Sequence, residues 1–484
     1  MRSAKWISSG FALIAGAFLA ASAATPAQSQ TVTLYEGARV ITGDGAVIEN
    51  GAFIVDGTLI RQVGRKGEVA LPQGASRVDL TGKTVMPTIV DMHGHFGFQN
   101  IAAGTMSKET FTRENLIDHL QRLAYNGVGA VVGVGDLVSR SDMHGGRTNW
   151  GDVPLKVRDE VIPGAALFKT AGPGMAWPGS GAQGDPSRVD VSYPVSTPEE
   201  ARAAVRDYVQ MKPEFIKIWV DDRDGAKKTL TPPLVNAIAD EAHKFNVPVG
   251  VHNVKLSDAK VLMRAGVEGW LHVPVRQGVL PDAELIGIVK DRIARNDRPV
   301  IWMTPALITA WMNTQGGSHP AWLDDPLLTS TYSARDIARF WGDPLMKMTP
   351  AQVAKAKEAF ASDAKSAMMM RAAGMVVVAG TDTGQTRHLL GYFNQLDLEA
   401  QVAMGMTPMQ VIVGATRDGA KVGKFNTGQI AAGRQADFMV LDANPLDSIS
   451  NTRRINKVYL RGSEVPRAQY AARWKAQFRT ASAQ

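Results

Sequence analysis

The chain is 484 residues long, 45% hydrophobic and 20% charged, with a net charge of +7 from 53 Lys and Arg against 46 Asp and Glu. That length exceeds one fold of the roughly 250-residue class and leaves room for a second, smaller unit. The charges are scattered, without the basic run interleaved with aromatics that nucleic-acid binding needs, so no nucleic-acid partner is expected.

At the start, Arg2 and Lys5 precede the apolar run Ile7–Leu19, and small residues follow at Ala21, Ser22, Ala23 and Ala27. Residues 1–29 therefore read as a signal peptide of a secreted or periplasmic protein, with no stable membrane insertion after its cleavage. The run is shorter than the ~20 apolar residues of a spanning helix. Residues 30–84 follow as short strands broken by turns: Val32–Tyr35, Ala38–Thr42, Val47–Val55, Leu59–Val63 and Arg77–Asp79.

From Lys83 onward apolar runs alternate with helical stretches, the pattern of βαβ units and a parallel sheet. Eight runs can be placed: Val85–His93, Gly129–Gly135, Ile162–Thr170, Phe215–Val220, Val247–His252, Gly269–Val273, Pro299–Pro305 and Met375–Asp382. Helical spacers include Glu199–Met211, Pro233–Phe245, Ser257–Ala265 and Asp282–Ala294. The α/β class follows, with residues 85–420 expected as a (β/α)8 TIM barrel. The connection 307–373 carries Trp311, Trp322, Tyr332 and Trp341 and is expected as a lid, with a surface insertion or oligomer contact as the alternative. Residues 421–484 return to short strands, Asp437–Leu441 and Lys457–Leu460, expected to join the first segment in one discontinuous β-sandwich domain.

With no cysteine in the chain, disulfides, thiolate ligands and cysteine catalysis are excluded; a metal must be held by histidine, carboxylate or a modified lysine. Asp91-Met-His93-Gly-His95 closes the first run. Side chains two apart on a strand share a face, so His93 and His95 point the same way, at the strand end where such barrels place their chemistry. A bare His-x-His is a weak motif, and its position gives it weight. His252 and His272 end later runs at the same rim. Asp382 ends the last run, where a carboxylate is costly unless paired, metal-bound or catalytic; a loop-capping aspartate ahead of Gly384 is the plainer alternative.

In Phe215-Ile-Lys217-Ile-Trp219-Val220 the alternation puts Phe215, Lys217 and Trp219 on one face, so Lys217 faces the barrel axis if the isoleucines face the helices. A bare ammonium there is expensive. Carbamylated by carbon dioxide, the lysine becomes an anionic ligand able to bridge two metals; an ion pair with a neighbouring carboxylate is the alternative. His119 and His243 read as surface or helix-packing residues, and His144 and His319 as solvated loop residues. His388, Trp219 and Trp302 are the candidates for substrate binding. No Gly-x-Ser-x-Gly elbow, Walker loop or His-Glu-x-x-His occurs.

These motifs, with Gly380-Thr-Asp382, Gly405-Met-Thr-Pro408 and Gly433-Arg-Gln-Ala-Asp-Phe-Met-Val-Leu441, carry a resemblance to the amidohydrolase superfamily, in its imidazolonepropionase-like and prolidase-like branch. The resemblance implies a binuclear centre with a carboxylated lysine: His93, His95 and Asp382 on one metal, His252 and His272 on the other, Lys217 shared. Trp219-Val-Asp-Asp222 departs from relatives, which often have small residues and a Ser-Gly turn there.

The expectation is a metal-dependent hydrolase cleaving an amide bond of a small molecule such as a dipeptide or N-acyl amino acid. Two divalent ions, zinc by expectation, would lower the pKa of a bridging water toward neutrality, and Asp382 would act as general acid and base. The alternatives are a mononuclear cyclic-amide or lactone hydrolase or deaminase, and, from another class, a noncatalytic periplasmic binding protein. Assembly as a homo-oligomer is left open.

Overall fold

Strand-forming residues between turns place β1 at Thr33–Ile41, β2 at Val47–Asp56, β3 at Leu59–Arg65, β4 at Ser76–Asp79 and β5 at Thr84–Pro87. The structure, a computed structural model, describes residues 32–141, 147–148, 151–181, 188, 191–295, 300–385 and 387–482. The expected signal peptide and His144 lie outside the described residues. Short strands follow as β6 Ile89–Gly94, β7 Val128–Gly133, β8 Leu167–Thr170, β9 Ile216–Trp219, β10 Val249–His252, β11 Gly269–Trp270, β12 Trp302–Met303 and β13 Val376–Val377. The chain ends with β14 Phe438–Leu441, β15 Ile455–Leu460, β16 Ser463–Glu464 and the helix Arg467–Ser482.

Both ends of the chain build one sheet, in the order β16-β15-β14-β5-β1-β2-β3 with β4 beside β1. Its core joins the ends through aromatic rings. Tyr35 stacks on Phe53 with ring centres 5.1 Å apart, Phe438 stacks on Tyr459 at 4.6 Å, and Phe53 meets Phe438 edge-on at 5.1 Å.

The other strands are parallel: β8-β7-β6 form one sheet, and β9-β10-β11-β12-β13 run in order in another. The two sheets meet at both edges. Glu214 N donates to Thr170 O at 3.1 Å on one side; Met92 N donates to Ala379 O at 3.0 Å, and Asp382 N to His93 O at 2.7 Å, on the other. Inward residues Val90, Met92, Ala130, Val132, Phe215, Trp302 and Val378 pack together. Outward residues such as Val131, Ile216, Ile218 and Val251 face the helices Arg113–Tyr125, Pro198–Tyr208, Pro232–Lys244, Leu256–Ala265 and Ala283–Arg295. Thr197 and Glu200 form a reciprocal capping box that starts Pro198–Tyr208.

One expectation changes. The run Val85–His93 is two strands: β5 pairs antiparallel with β14, whereas β6 pairs parallel with β7. Val85 and Met86, adjacent on β5, go to different cores, so the strand is the seam between the two sheets' packing. The segment 307–373, expected as a lid or a surface insertion, is built of packed helices. It contains Ile308–Asn313 and the 23-residue helix Pro350–Ala372, which starts at a Thr349/Gln352 capping box. Trp322, Tyr332 and Trp341 are buried, and Trp341 Nε1 donates to Arg387 O at 2.6 Å. Large aromatic rings are the physical reason: they cannot remain in water cheaply and instead fix this segment under the loop that carries His388.

Candidate metal centre

The ends of the parallel strands bring His93, His95, Lys217, His252, His272 and Asp382 to one place. Among the described residues, His93, His95 and Asp382 form a three-residue cluster with ligand atoms within 4.8 Å of one another. Asp382 Oδ1 stands 2.9 Å from His95 Nε2 and 3.2 Å from His93 Nε2. His272 Nε2 is 4.0 Å from Asp382 Oδ2, its ring is 5.3 Å from that of His93, and His252 lies 4.4 Å from His272.

The imidazole tautomers point to a cation. His95 Nδ1 is hydrogen-bonded to the Val134 carbonyl, which can only accept. In the neutral ring the proton is therefore on Nδ1, and the Nε2 lone pair faces the Asp382 carboxylate. Two acceptors facing each other need a proton or a metal between them. Burial, then the nearby Arg188 guanidinium, push His95 below the ordinary imidazole range, and burial drives His93 and His272 well below it, so protonation is the less favoured answer. Burial works to raise the Asp382 carboxyl, but His93, His95 and His272 hold it well below the usual carboxylate range. The His272 ring is buried, and among the described residues neither of its nitrogens has a hydrogen-bond partner, which suits a metal-ligating imidazole. The donor set of imidazoles and carboxylate suits zinc and similar divalent ions.

Asp382 has a left-handed backbone, φ 55°, held by its N–H bond to His93 O. Behind His93, Asp91 is fully buried. Its Oδ1 accepts from His93 N at 2.8 Å, and its Oδ2 accepts from Thr381 Oγ1 at 2.8 Å and Asn394 Nδ2 at 2.6 Å.

Lys217 is 1% exposed on the inward face of β9, while Ile216 and Ile218 pack outward. Among the described residues no carboxylate stands within ion-pair distance of its Nζ, which lies 5.2 Å from the Trp219 ring centre. Burial holds the amine well below the ordinary lysine range, favouring the neutral form that can react with carbon dioxide.

The three substrate candidates separate. His388 is buried beside Phe393 with ring centres 5.3 Å apart, close enough to His95 and Asp382 to feel their charge. Trp219 is 5% exposed and packs on Ala176 beside Lys217, as part of the wall. Trp302 does not reach the mouth: its ring lies inside the sheet, 5.6 Å from Phe215 and against Gly269. It sits one inward step below Thr304, whose Oγ1 is 3.3 Å from His93 Nδ1, so it supports the centre from beneath. The other described helical histidines pack as expected. His119 is fully buried, bracing Gly97 N and Gln99 O, and His243 pairs with Glu268 at 3.0 Å.

Several residues at the centre escaped the sequence reading. Arg188 is buried near His95 and Lys217, and Asp136, pushed up to about 7 by burial, accepts from Thr170 Oγ1 at 2.5 Å. Asp221 Oδ2 is 2.9 Å from His252 Nε2. Burial acts to raise Asp221, but the His252 bond and the Arg223 backbone N–H hold it down at about 2. Asp221 was within reach of the alternation argument, being two residues beyond Trp219 on the same face. Beside it opens a cleft of about 600 Å³ lined by His252, Arg223, Arg276 and Lys355 among others.

A family model described as the amidohydrolase family matches residues 84–465. An ochratoxinase of Aspergillus niger is 23% identical over 466 residues, covering 86% of this chain and 82% of that protein. Among solved structures, a putative prolidase from Bifidobacterium longum superposes with a TM-score of 0.65 at 23% identity, covering 94% of this chain and 99% of that one. A Xaa-Pro dipeptidase with methionine bound in its active site gives a TM-score of 0.65 at 22% identity, covering 90% and 99%. At these identities the likeness of structure establishes the fold.

Proposed function

The chain belongs to the amidohydrolase family and is a hydrolase, and from that premise we propose that it cleaves the amide bond of a small substrate, a dipeptide or N-acyl amino acid, at a binuclear metal centre. The observation that carries the reading is the buried Lys217, set among four histidines and Asp382 and, among the described residues, without a carboxylate at ion-pair distance. In this reading the ring of parallel strands is a (β/α)8 barrel spanning residues 85–420, and residues 30–84 and 421–484 form a discontinuous β-sandwich-type domain. Residues 1–29 act as the leader of a secreted or periplasmic protein. The ochratoxinase and dipeptidase names of its relatives support an amide as the scissile bond.

His93, His95 and Asp382 would hold one divalent ion, His252 and His272 the other, with carbamylated Lys217 between them. When bound, zinc or a similar ion supplies Lewis-acid polarisation of the substrate carbonyl and a lowered pKa for attacking water. The protein's own part is positional and acid-base. Val134 fixes the His95 tautomer, and Asp91 fixes the His93 backbone. Asp382 keeps 30% of its side chain open to the mouth, so its carboxylate can take a proton from the attacking water and deliver it to the departing amine nitrogen. His388, on the loop after Asp382, is placed to contact the substrate, and Trp219 walls off the lysine.

The test is metal analysis of the purified protein together with a hydrolysis panel of dipeptides, N-acyl amino acids, cyclic amides and lactones. About two metals per chain and turnover of an acyclic amide support the reading; a metal-loaded protein inert to the whole panel overturns it. The compact His93, His95 and Asp382 cluster also favours a second reading, a mononuclear ring-opening hydrolase or deaminase. In that case Lys217→Ala leaves a single metal in place.

A further inference from the structure

We propose that Asp221 is the positioning residue for the second metal: it holds His252 by Nε2 and thereby turns Nδ1 of that ring toward the metal shared with His272. The inference rests on the two-metal reading given above.

The strand geometry comes first. Lys217, Trp219 and Asp221 alternate onto the inward face of β9 and its extension, and Trp219 pairs in register with His252. Asp221 therefore stands one inward step beyond His252, at the rim, where it is 8% exposed. Its Oδ2 lies 2.9 Å from His252 Nε2.

That distance alone allows two roles, because a carboxylate and an imidazole bound to one metal also approach to about 3 Å when each ligand bond is about 2.1 Å. The surroundings of Asp221 choose between them. Arg223 N donates to Asp221 Oδ1 at 2.9 Å, and Arg223 Nη1 stands 3.1 Å from Oδ2. The turn is held tight by left-handed backbones at Arg223, φ 52°, and Asp224, φ 57°. Oδ1 thus already accepts a backbone N–H, and a guanidinium at ion-pair distance from Oδ2 already balances the carboxylate's charge. The remaining role is to accept the His252 Nε2 proton, as carboxylates do behind metal-bound histidines. Nδ1 is then the lone-pair nitrogen. On the partner ring, 4.4 Å away, both His272 nitrogens are buried without partners among the described residues, so a ligand-ready imidazole stands beside His252.

The two halves of the centre are thereby oriented oppositely. His95 is fixed at Nδ1 by a backbone carbonyl and presents Nε2; His252 is fixed at Nε2 by Asp221 and presents Nδ1. A backbone acceptor cannot be removed by substitution of a side chain, whereas Asp221 can.

The experiment is a zinc-loaded crystal structure of the wild type, together with metal affinities of wild type, Asp221→Ala and Asp221→Asn by chelator competition. The expected results are zinc on His252 Nδ1 with Asp221 on Nε2, and a second-metal affinity reduced roughly 10- to 100-fold in Asp221→Ala. Asp221→Asn, which keeps an acceptor oxygen, should lose less, and the first metal should be unaffected in both. Zinc on His252 Nε2 or on Asp221 itself overturns the proposal. So does an unchanged second-metal affinity in folded Asp221→Ala, while two metals in the wild type would leave the binuclear function standing. A wild type holding fewer than two metals removes both.

Discussion

Asp382 Oδ1 lies 2.9 Å from His95 Nε2, so a residue just beyond the last parallel strand touches the histidine that follows the first. Asp382→Asn keeps the size of the side chain and an acceptor oxygen but removes the proton acceptor. The expected outcome is a fall in kcat of roughly 10²-fold or more with metal content retained. Steady-state kinetics on the metal-analysed variant check it, and full activity would remove Asp382 from the acid-base role.

Lys217 is buried among histidines and, among the described residues, has no carboxylate at ion-pair distance. Lys217→Ala should reduce the metal content from about two per chain, and a short-chain carboxylic acid added in solution should restore part of it by replacing the lost anion. Elemental analysis with and without the added acid reads the result. Retention of the full complement in the variant would argue against a bridging lysine.

Asn394 Nδ2 donates to Asp91 Oδ2 at 2.6 Å, deep behind His93. Asn394→Ala leaves that buried carboxylate short of one donor and should cost about 1–3 kcal/mol of stability. Because Asp91 also holds the His93 backbone, weaker metal retention should accompany the loss. Denaturant unfolding of the metal-free and metal-loaded variant measures both effects.

Asp397 is buried in the helix Tyr392–Met404, where burial pushes its carboxyl from 3.8 up to about 7. The unfolded chain releases this proton near the lower value and the folded protein near the higher one. Between them the native state binds more protons, so stability falls as pH rises through that window, and the full loss is present above about 7. At about 1.4 kcal/mol per pH unit, the penalty is on the order of 4 kcal/mol. Asp397→Asn, which can still accept from Gln401, should therefore stabilise the protein at pH 8 and lose that advantage by pH 4. Unfolding curves at the two pH values decide it, and an advantage independent of pH would contradict the assignment.

Much of the site could be read from strand alternation, because a period of two fixes which side chains share a face whatever lies around them. Lys217 against Ile216 and Ile218 follows from that rule alone; His93 and His95 share a face as it says, but a register shift between Asp91 and Gly94 is what turns them inward beside Val90 and Met92. Alternation says which face a ring is on but not how far along the strand the mouth lies, and only the packing puts the Trp302 ring against Phe215 and Gly269. Val85–His93 looked like one strand because two adjoining apolar strands carry no break in hydrophobicity; only the partners of Val85 and Val90 separate them. The tryptophans of 307–373 were visible, but whether they cover a mouth or fill a core depends on which surfaces meet them.

The amino-acid order by itself determined the α/β class, the run of short buried strands, and the six ligand-type residues at their ends, because these depend on local period and residue chemistry. The tertiary structure decided which ring nitrogen of His95 is free, that Asp91 braces His93, and that Asp221 meets His252. Those relationships join residues on different strands, and their hydrogen-bond distances exist only once the strands are packed side by side.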